Sequence, residues 1–337
     1  MDDSIIENPE GNFHTSSLRE TLDLQPITKI VDAVREECAK LVIGQEELIE
    51  LMLICVVSNG HILLEGVPGI AKTLSANVLS ACIDSDFSRI QFTPDLMPAD
   101  ILGTSVFNMK EAEFVFKPGP IFGNIILIDE INRAPAKTQA ALFEVMEEKQ
   151  ISFDGETYKM SFPFLVVATQ NPIEQEGTYR LPEAQLDRFL MKIVLDYPTA
   201  AQELQILEKY KNANSGPDLS IINAVIRPRD IQDIQAVLQQ IHIEPQILKY
   251  ITEIIQESRN HAKIYLGASP RASLAILKTA KMTAVMAERD FVIPEDIQYV
   301  MPHVLNHRLI LTAEAEMEGL STKDLIKEII QTVEVPR

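Results

Sequence analysis

The sequence predicts an α/β fold in which a parallel five-stranded sheet carries helices on both faces and is followed by an all-α second domain. Three observations predict it. Apolar runs of strand length alternate with helical patterns as far as Tyr197-Pro198. A glycine-bearing loop joins one such run directly to a helical pattern. Beyond residue 198 the periodicity is almost wholly helical.

At 337 residues the chain exceeds the size at which one hydrophobic core stops growing, so two cores are expected, and 46% hydrophobic residues suffice to fill them. Residues 1–26 are polar with scattered Pro and Gly and predict a flexible N-terminal arm ending at Pro26. Residues 27–198 predict an α/β core, and residues 199–337 a helical domain. No internal repeat or low-complexity tract interrupts them.

Within the core, Ile27 to Lys40 has helical spacing, and Val42-Ile43-Gly44-Gln45 leads into a second amphipathic helix reaching about Val57. His61 to Glu65 is a short buried strand, after which Leu74, Val78, Leu79 and Ile83 recur at helical spacing. Arg89 to Phe92, Ile125 to Ile128, Leu165 to Ala168 and Met191 to Leu195 supply four further strands. Short alternating stretches at Thr104 to Lys117 and at Ile151 to Met160, around Asp154-Gly155, predict two inserted hairpins. In the helical domain, Asn212 to Pro217 is a loop.

The loop Gly66-Val67-Pro68-Gly69-Ile70-Ala71-Lys72-Thr73, running into Leu74, lies where backbone N–H groups wrap around a nucleotide's phosphates. Lys72 is placed to reach the β and γ phosphates, and the Thr73 hydroxyl to coordinate Mg²⁺. Ala71 stands where the strict P-loop pattern has its second glycine, and an alanine cannot take a positive φ cheaply. Roughly sixty residues later, Asp129 and Glu130 end an apolar run. A hydrolytic P-loop NTPase uses such a pair to hold the Mg²⁺ shell and to accept a proton from the attacking water. The strand Leu165 to Ala168 leads to Asn171, an amide able to bond the γ-phosphate or the lytic water, or simply a turn residue before Pro172.

These motifs resemble those of the MoxR family of AAA+ ATPases. The likeness also takes in Leu181 to Phe189, which contains Arg188, and Gly267-Ala268-Ser269-Pro270-Arg271, and it covers nearly the whole chain after residue 26. It implies a P-loop NTPase core of AAA+ type with a C-terminal lid, binding ATP and Mg²⁺. Lys72 and Thr73 match the Walker A pair, Asp129 and Glu130 the Walker B pair, and Asn171 the sensor 1 residue. Arg188 matches an arginine finger offered to a neighbour's γ-phosphate, and Arg271 the sensor 2 arginine. The hairpins resemble insertions of the clade that holds magnesium chelatase, in which lid placement varies. Arg271 is therefore compatible with its own nucleotide or a neighbour's. The resemblance further implies a homo-hexameric ring acting in chaperone-like remodelling or maturation of a protein client, with metal or cofactor insertion among the outcomes and von Willebrand factor A domain proteins as partners.

Composition narrows the alternatives. A net charge of −19 argues against a surface built for nucleic acid, and the hairpin tips Asn108 to Glu113 and Asp154 to Thr157 contain only Lys110 as a base. A nucleic-acid motor, a small-molecule P-loop kinase and a nucleotide-gated scaffold remain competing readings. Met1-Asp2-Asp3-Ser4 opens acidic and no long uncharged apolar stretch follows, so a cytoplasmic protein without membrane attachment is expected. Cys38, Cys55 and Cys82 form no C-x-x-C pair and are expected as buried structural residues. Arg133 and Arg180 are set aside as surface pairing residues. His303 and His307, spaced i, i+4, lack a third metal ligand nearby in sequence.

Overall fold

The computed structural model describes residues 22–67, 69–171, 179–211 and 216–336. Most of the expected N-terminal arm, Pro68 of the phosphate loop, Pro172 and residues 212–215 lie outside the described residues. The first described helix is α1 (Gln25–Ala39), which starts slightly before the expected start. Pro26 stands in its first turn, where the missing N–H has no intrahelical partner to lose. Ile27, Val31, Val34 and Cys38 form its buried stripe. α2 (Glu46–Val57) follows, buried continuously from Leu51 to Val57, with Glu46 and Glu47 complementing the helix dipole in its first turn.

The central sheet is built from β1 (Ile62–Glu65), β2 (Phe87–Gln91), β5 (Ile125–Asp129), β8 (Leu165–Gln170) and β9 (Met191–Val194). Every pairing is parallel and the order is β2-β5-β8-β1-β9. Between the strands lie α3 (Lys72–Cys82), α4 (Pro98–Leu102), α5 (Ala136–Glu148) and α6 (Glu183–Leu186). Both expected hairpins are present, as β3 (Gly103–Asn108) with β4 (Glu113–Pro118), and β6 (Gln150–Phe153) with β7 (Glu156–Lys159). They touch one another: Phe116 stacks on Tyr158 with ring centroids 4.4 Å apart, and Ser105 Oγ donates to Asp154 Oδ2 at 2.8 Å.

The remainder comprises α7 (Ala200–Tyr210), α8 (Pro228–Gln240), α9 (Pro245–Asn260), α10 (Pro270–Met286), α11 (Pro294–Leu305), α12 (Ala313–Met317) and α13 (Thr322–Thr332). The helical region also carries a short antiparallel pair, β10 (Ile264–Leu266) and β11 (Ile310–Leu311), which helical periodicity did not reveal.

Packing divides by sheet face. Alternation along the strands sends Leu63, Ile126, Ile128, Val166 and Ala168 to one face, against Ile101 of α4 and Leu142, Phe143 and Met146 of α5. Ile62, Leu64, Ile125, Leu127 and Val167 go to the other, where one continuous apolar cluster runs through α1, α2 and α3 into α8, α9, α10 and α11. All three cysteines are buried, and Cys38 Sγ lies 3.7 Å from Cys82 Sγ, a contact between α1 and α3 that holds the Cys38 thiol above its ordinary pKa. No helix among the described residues is long and apolar enough to cross a membrane.

Candidate functional site

In parallel strands, the ends of β1, β5 and β8 converge on one edge of the sheet. Gly66 follows β1 and its N–H donates to Gln170 O of β8 at 3.3 Å. Asn171, buried, follows β8 and so sits beside Gly66. Asp129 ends β5 on the other side of β8. Side chains far apart in sequence are brought together because each closes a neighbouring strand.

The phosphate loop bends from Gly66 into α3. A Cβ at Gly66 would stand 3.0 Å from Leu195 O and closer still to Ile70 Cδ1, so a side chain there would require both to shift. Gly69 has φ +88° and open space around it. Ala71 adopts the left-handed region that its β-carbon makes costly, φ +61° and ψ +19°, as the residue capping α3. That conformation costs a non-glycine residue roughly 1–2 kcal/mol. Lys72 Nζ donates to Gly66 O at 2.6 Å, so its ammonium lies folded across the loop. Its pKa is lowered, foremost by burial, against which the carboxylates of Asp129, Glu130 and Glu65 favour the charged form.

Asp129 is buried and held twice: Arg89 Nε donates to Oδ2 at 2.7 Å, and Thr169 Oγ1 donates to Oδ1 at 3.3 Å. The same Thr169 oxygen accepts the Glu130 N–H at 3.0 Å. Glu130 is itself left-handed, φ +57° and ψ +53°, which turns its side chain away from the strand direction. Its Oε2 accepts from Gln91 Nε2 at 2.9 Å and from Arg133 Nε at 3.0 Å. Sequence reading set Arg133 aside and missed Arg89 and Gln91. The last two sit two apart on β2 and therefore share a face, a signal that was present in the sequence.

Arg188 and Arg271 occupy the opposite edge. Arg188 precedes β9, and Leu190 N–H donates to His61 O, ahead of β1, at 2.8 Å. His61 Nε2 donates to Met146 O at 3.1 Å, which places the last turn of α5 at the same edge. There Arg188 Nη1 bonds Phe143 O, and its Nε lies 3.8 Å from Glu147 Oε2. Arg271 donates to both oxygens of Glu147, at 2.8 and 3.4 Å. At about 3.3 Å per residue, β5 alone separates this edge from Glu130 by roughly 15 Å. The described sequence-predicted residues thus fall into two groups, Gly66, Val67 and Gly69 to Leu74 with Asp129, Glu130 and Asn171 on one edge, Arg188 and Arg271 on the other.

His303 and His307 do not share a ligand: His303 Nε2 lies 3.5 Å from Glu47 Oε1, while His307 Nε2 donates to Phe189 O at 3.0 Å. Arg180 pairs with Glu183 at 3.3 Å. Among the described residues no group of three or more His, Cys, Asp or Glu side chains converges as a metal site.

Residues 61–191 match the model of the ATPase family associated with various cellular activities (AAA), and residues 256–329 match the AAA lid domain. The uncharacterised protein YeaC of Bacillus subtilis is 44% identical over 93% of this chain and 96% of its own length. Chaperone MoxR1 of Mycobacterium tuberculosis is 43% identical over 89% of this chain and 81% of its own, and Protein MoxR of Methylorubrum extorquens 30% identical over 89% and 93%. The crystal structure of a candidate ATPase from Cytophaga hutchinsonii superimposes with a TM-score of 0.87 at 43% identity, covering 93% of this chain and 97% of that one. Core, lid and near full-length relatives agree with the motif geometry, and the chain belongs to the MoxR family of AAA+ ATPases.

Proposed function

We propose that the protein hydrolyses ATP at sites completed by neighbouring copies and uses the cycle for chaperone-like remodelling or maturation of protein complexes. The observation that carries this reading is the separation of the arginines from the phosphate loop. Arg188 and Arg271 lie a strand's length from their own Lys72 and Glu130 yet share one carboxylate, Glu147. In this reading both serve a neighbour's nucleotide, and the shared carboxylate supports the trans alternative for Arg271. Such a head-to-tail contact closes as a ring, a homo-hexamer in this reading.

At each site the backbone from Gly66 to Leu74 receives the phosphates, and Lys72 exchanges its Gly66 carbonyl for their oxygens. Thr73 and Asp129 carry the hard oxygens that would hold Mg²⁺, and the ion would supply neutralisation of phosphate charge. Glu130, released from Gln91 and Arg133, accepts a proton from the attacking water while Asn171 orients it. The water oxygen bonds to the γ-phosphorus as its bond to the bridging oxygen breaks, leaving ADP and phosphate. Arg188 from the neighbour stabilises the charge on the equatorial oxygens.

The name of the Mycobacterium tuberculosis relative, a chaperone, supports a protein client. So does the balance of −19, which disfavours nucleic acid. A cytoplasmic setting, a von Willebrand factor A domain partner and metal or cofactor insertion complete the reading. Glu130→Gln tests it: ATP binding persists, turnover stops and clients remain captured on the ATP state. Undiminished turnover would overturn the catalytic assignment, and ATP-dependent retention of nucleic acid alone would favour a nucleic-acid motor.

A further inference from the structure

Arg308 lies just past α11 in the lid and is buried, with a relative exposure of 8%. Its guanidinium reaches into the loop that carries Arg188. Nε donates to Asp187 Oδ1 at 2.7 Å, Nη1 to Leu190 O at 3.1 Å, and Nη2 to Asp187 O at 3.2 Å and Phe189 O at 2.6 Å. Nη1 also bonds Val304 O at the end of α11. The carbonyls on both sides of Arg188 are thus held by one planar fork, a geometry that a lysine's point charge cannot reproduce. His307 Nε2 adds a second donor to Phe189 O at 3.0 Å.

Asp187 extends the connection. Its second oxygen, Oδ2, accepts from Ser269 Oγ at 2.9 Å, and Ser269 caps α10 by accepting the Arg271 N–H. The loop bearing Arg188 and the helix start bearing Arg271 are therefore joined through one carboxylate and one guanidinium, both inside the lid junction. Buried ion pairs return little net stability compared with well-packed apolar groups, so stability does not by itself account for a guanidinium devoted to this loop.

We propose that Arg308 is a positioning residue for the trans-acting arginines: it locks residues 187–190 and the start of α10 to the lid, so that a lid movement in one protomer shifts Arg188 and Arg271 together against the neighbour's nucleotide. The inference rests on the assignment of Arg188 to the adjacent subunit's site. A displacement of about 1 Å at such a group is enough to cost roughly 100-fold in rate.

The test is complementation between two impaired proteins. Arg308→Gln alone is expected to lose about 100-fold in kcat while its own affinity for a fluorescent ATP analogue is unchanged. Mixed with excess Glu130→Gln protein, which has a sound Arg188 but no general base, the Arg308→Gln sites regain turnover. A role confined to the variant's own fold or own nucleotide gives no such recovery and overturns the proposal, as does an undiminished kcat. Arg188→Ala mixed with Glu130→Gln serves as the parallel arm. Recovery there but not with Arg308→Gln rejects the positioning role alone, whereas failure in both rejects the trans assignment beneath it. Asp187→Asn, which keeps size and removes the charge facing Arg308, replaces Arg308→Gln if that protein does not fold, with the same expected recovery and the same refutation.

Discussion

Arg271 and Glu147 form a two-point ion pair across the junction of lid and core, with Nη2 2.8 Å from Oε1 and Nη1 3.4 Å from Oε2. Arg188 stands 3.8 Å from the same carboxylate. Two guanidinium groups thus share one negative charge, and their surplus positive charge is suited to a phosphate brought by another copy. Arg188→Ala is expected to lower turnover by about 10³-fold or more in assembled protein with nucleotide binding intact, as measured by steady-state hydrolysis beside a binding titration. An assembled variant at full rate would reject Arg188 as a finger.

Thr169 ties the two acidic residues together, accepting the Glu130 N–H and donating to Asp129. Thr169→Val keeps the shape but leaves that N–H without its acceptor, at a cost of about 1–3 kcal/mol. The left-handed turn at Glu130 loses its support, so kcat is expected to fall about tenfold or more, towards the roughly 10²–10⁴-fold that a general base contributes. Urea unfolding and ATPase rates, measured together, check both effects.

His61 is fully buried as a neutral ring, with Nδ1 accepting from Val166 N–H at 3.0 Å, and burial foremost pushes its pKa down to about 4. Because the unfolded chain binds this proton more readily, its contribution is complete above the ordinary histidine value of about 6.5 and is lost as pH falls towards 4. At pH 5 the loss amounts to about 2 kcal/mol relative to pH 8. Denaturant midpoints of the wild type and His61→Gln, compared at the two pH values, are expected to converge at the acid end. Equal pH slopes for the two proteins would contradict the assignment.

Ala71→Gly removes a β-carbon from a left-handed residue. Stability is expected to rise by up to about 1 kcal/mol, with the gain limited by the added freedom of the unfolded chain. Thermal melts of the nucleotide-free protein give the measurement, and hydrolysis should persist.

All five sheet strands and both hairpins were legible because buried parallel strands write themselves as short apolar runs bounded by turn residues. The phosphate loop and the acidic pair were legible for a related reason: each is local in sequence and attached to a strand end. Glu147 was not, since it lies 124 residues from Arg271 and ordinary helix periodicity explains its presence on α5. Arg308 escaped for the same cause, as nothing in Asn306-His307-Arg308-Leu309 announces carbonyls 118 to 121 residues away. The left-handed turn at Ala71 contradicts local preference outright. There the demand of the surrounding loop exceeds the steric preference of one residue, a conflict that sequence patterns do not display. The division of the interior by sheet face was hidden too, because periodicity tells which side of an element is apolar but not which partner covers it.

The apolar cluster that runs from α1 and α2 into α10 and α11 makes the α/β sheet region and the lid share one interior. A truncation after Leu195 would strip α2 of the cover that α8 and α10 provide and expose that side of it to water. Exchange of lids between relatives would have to carry the first two helices along, and heat should melt the protomer in a single cooperative step.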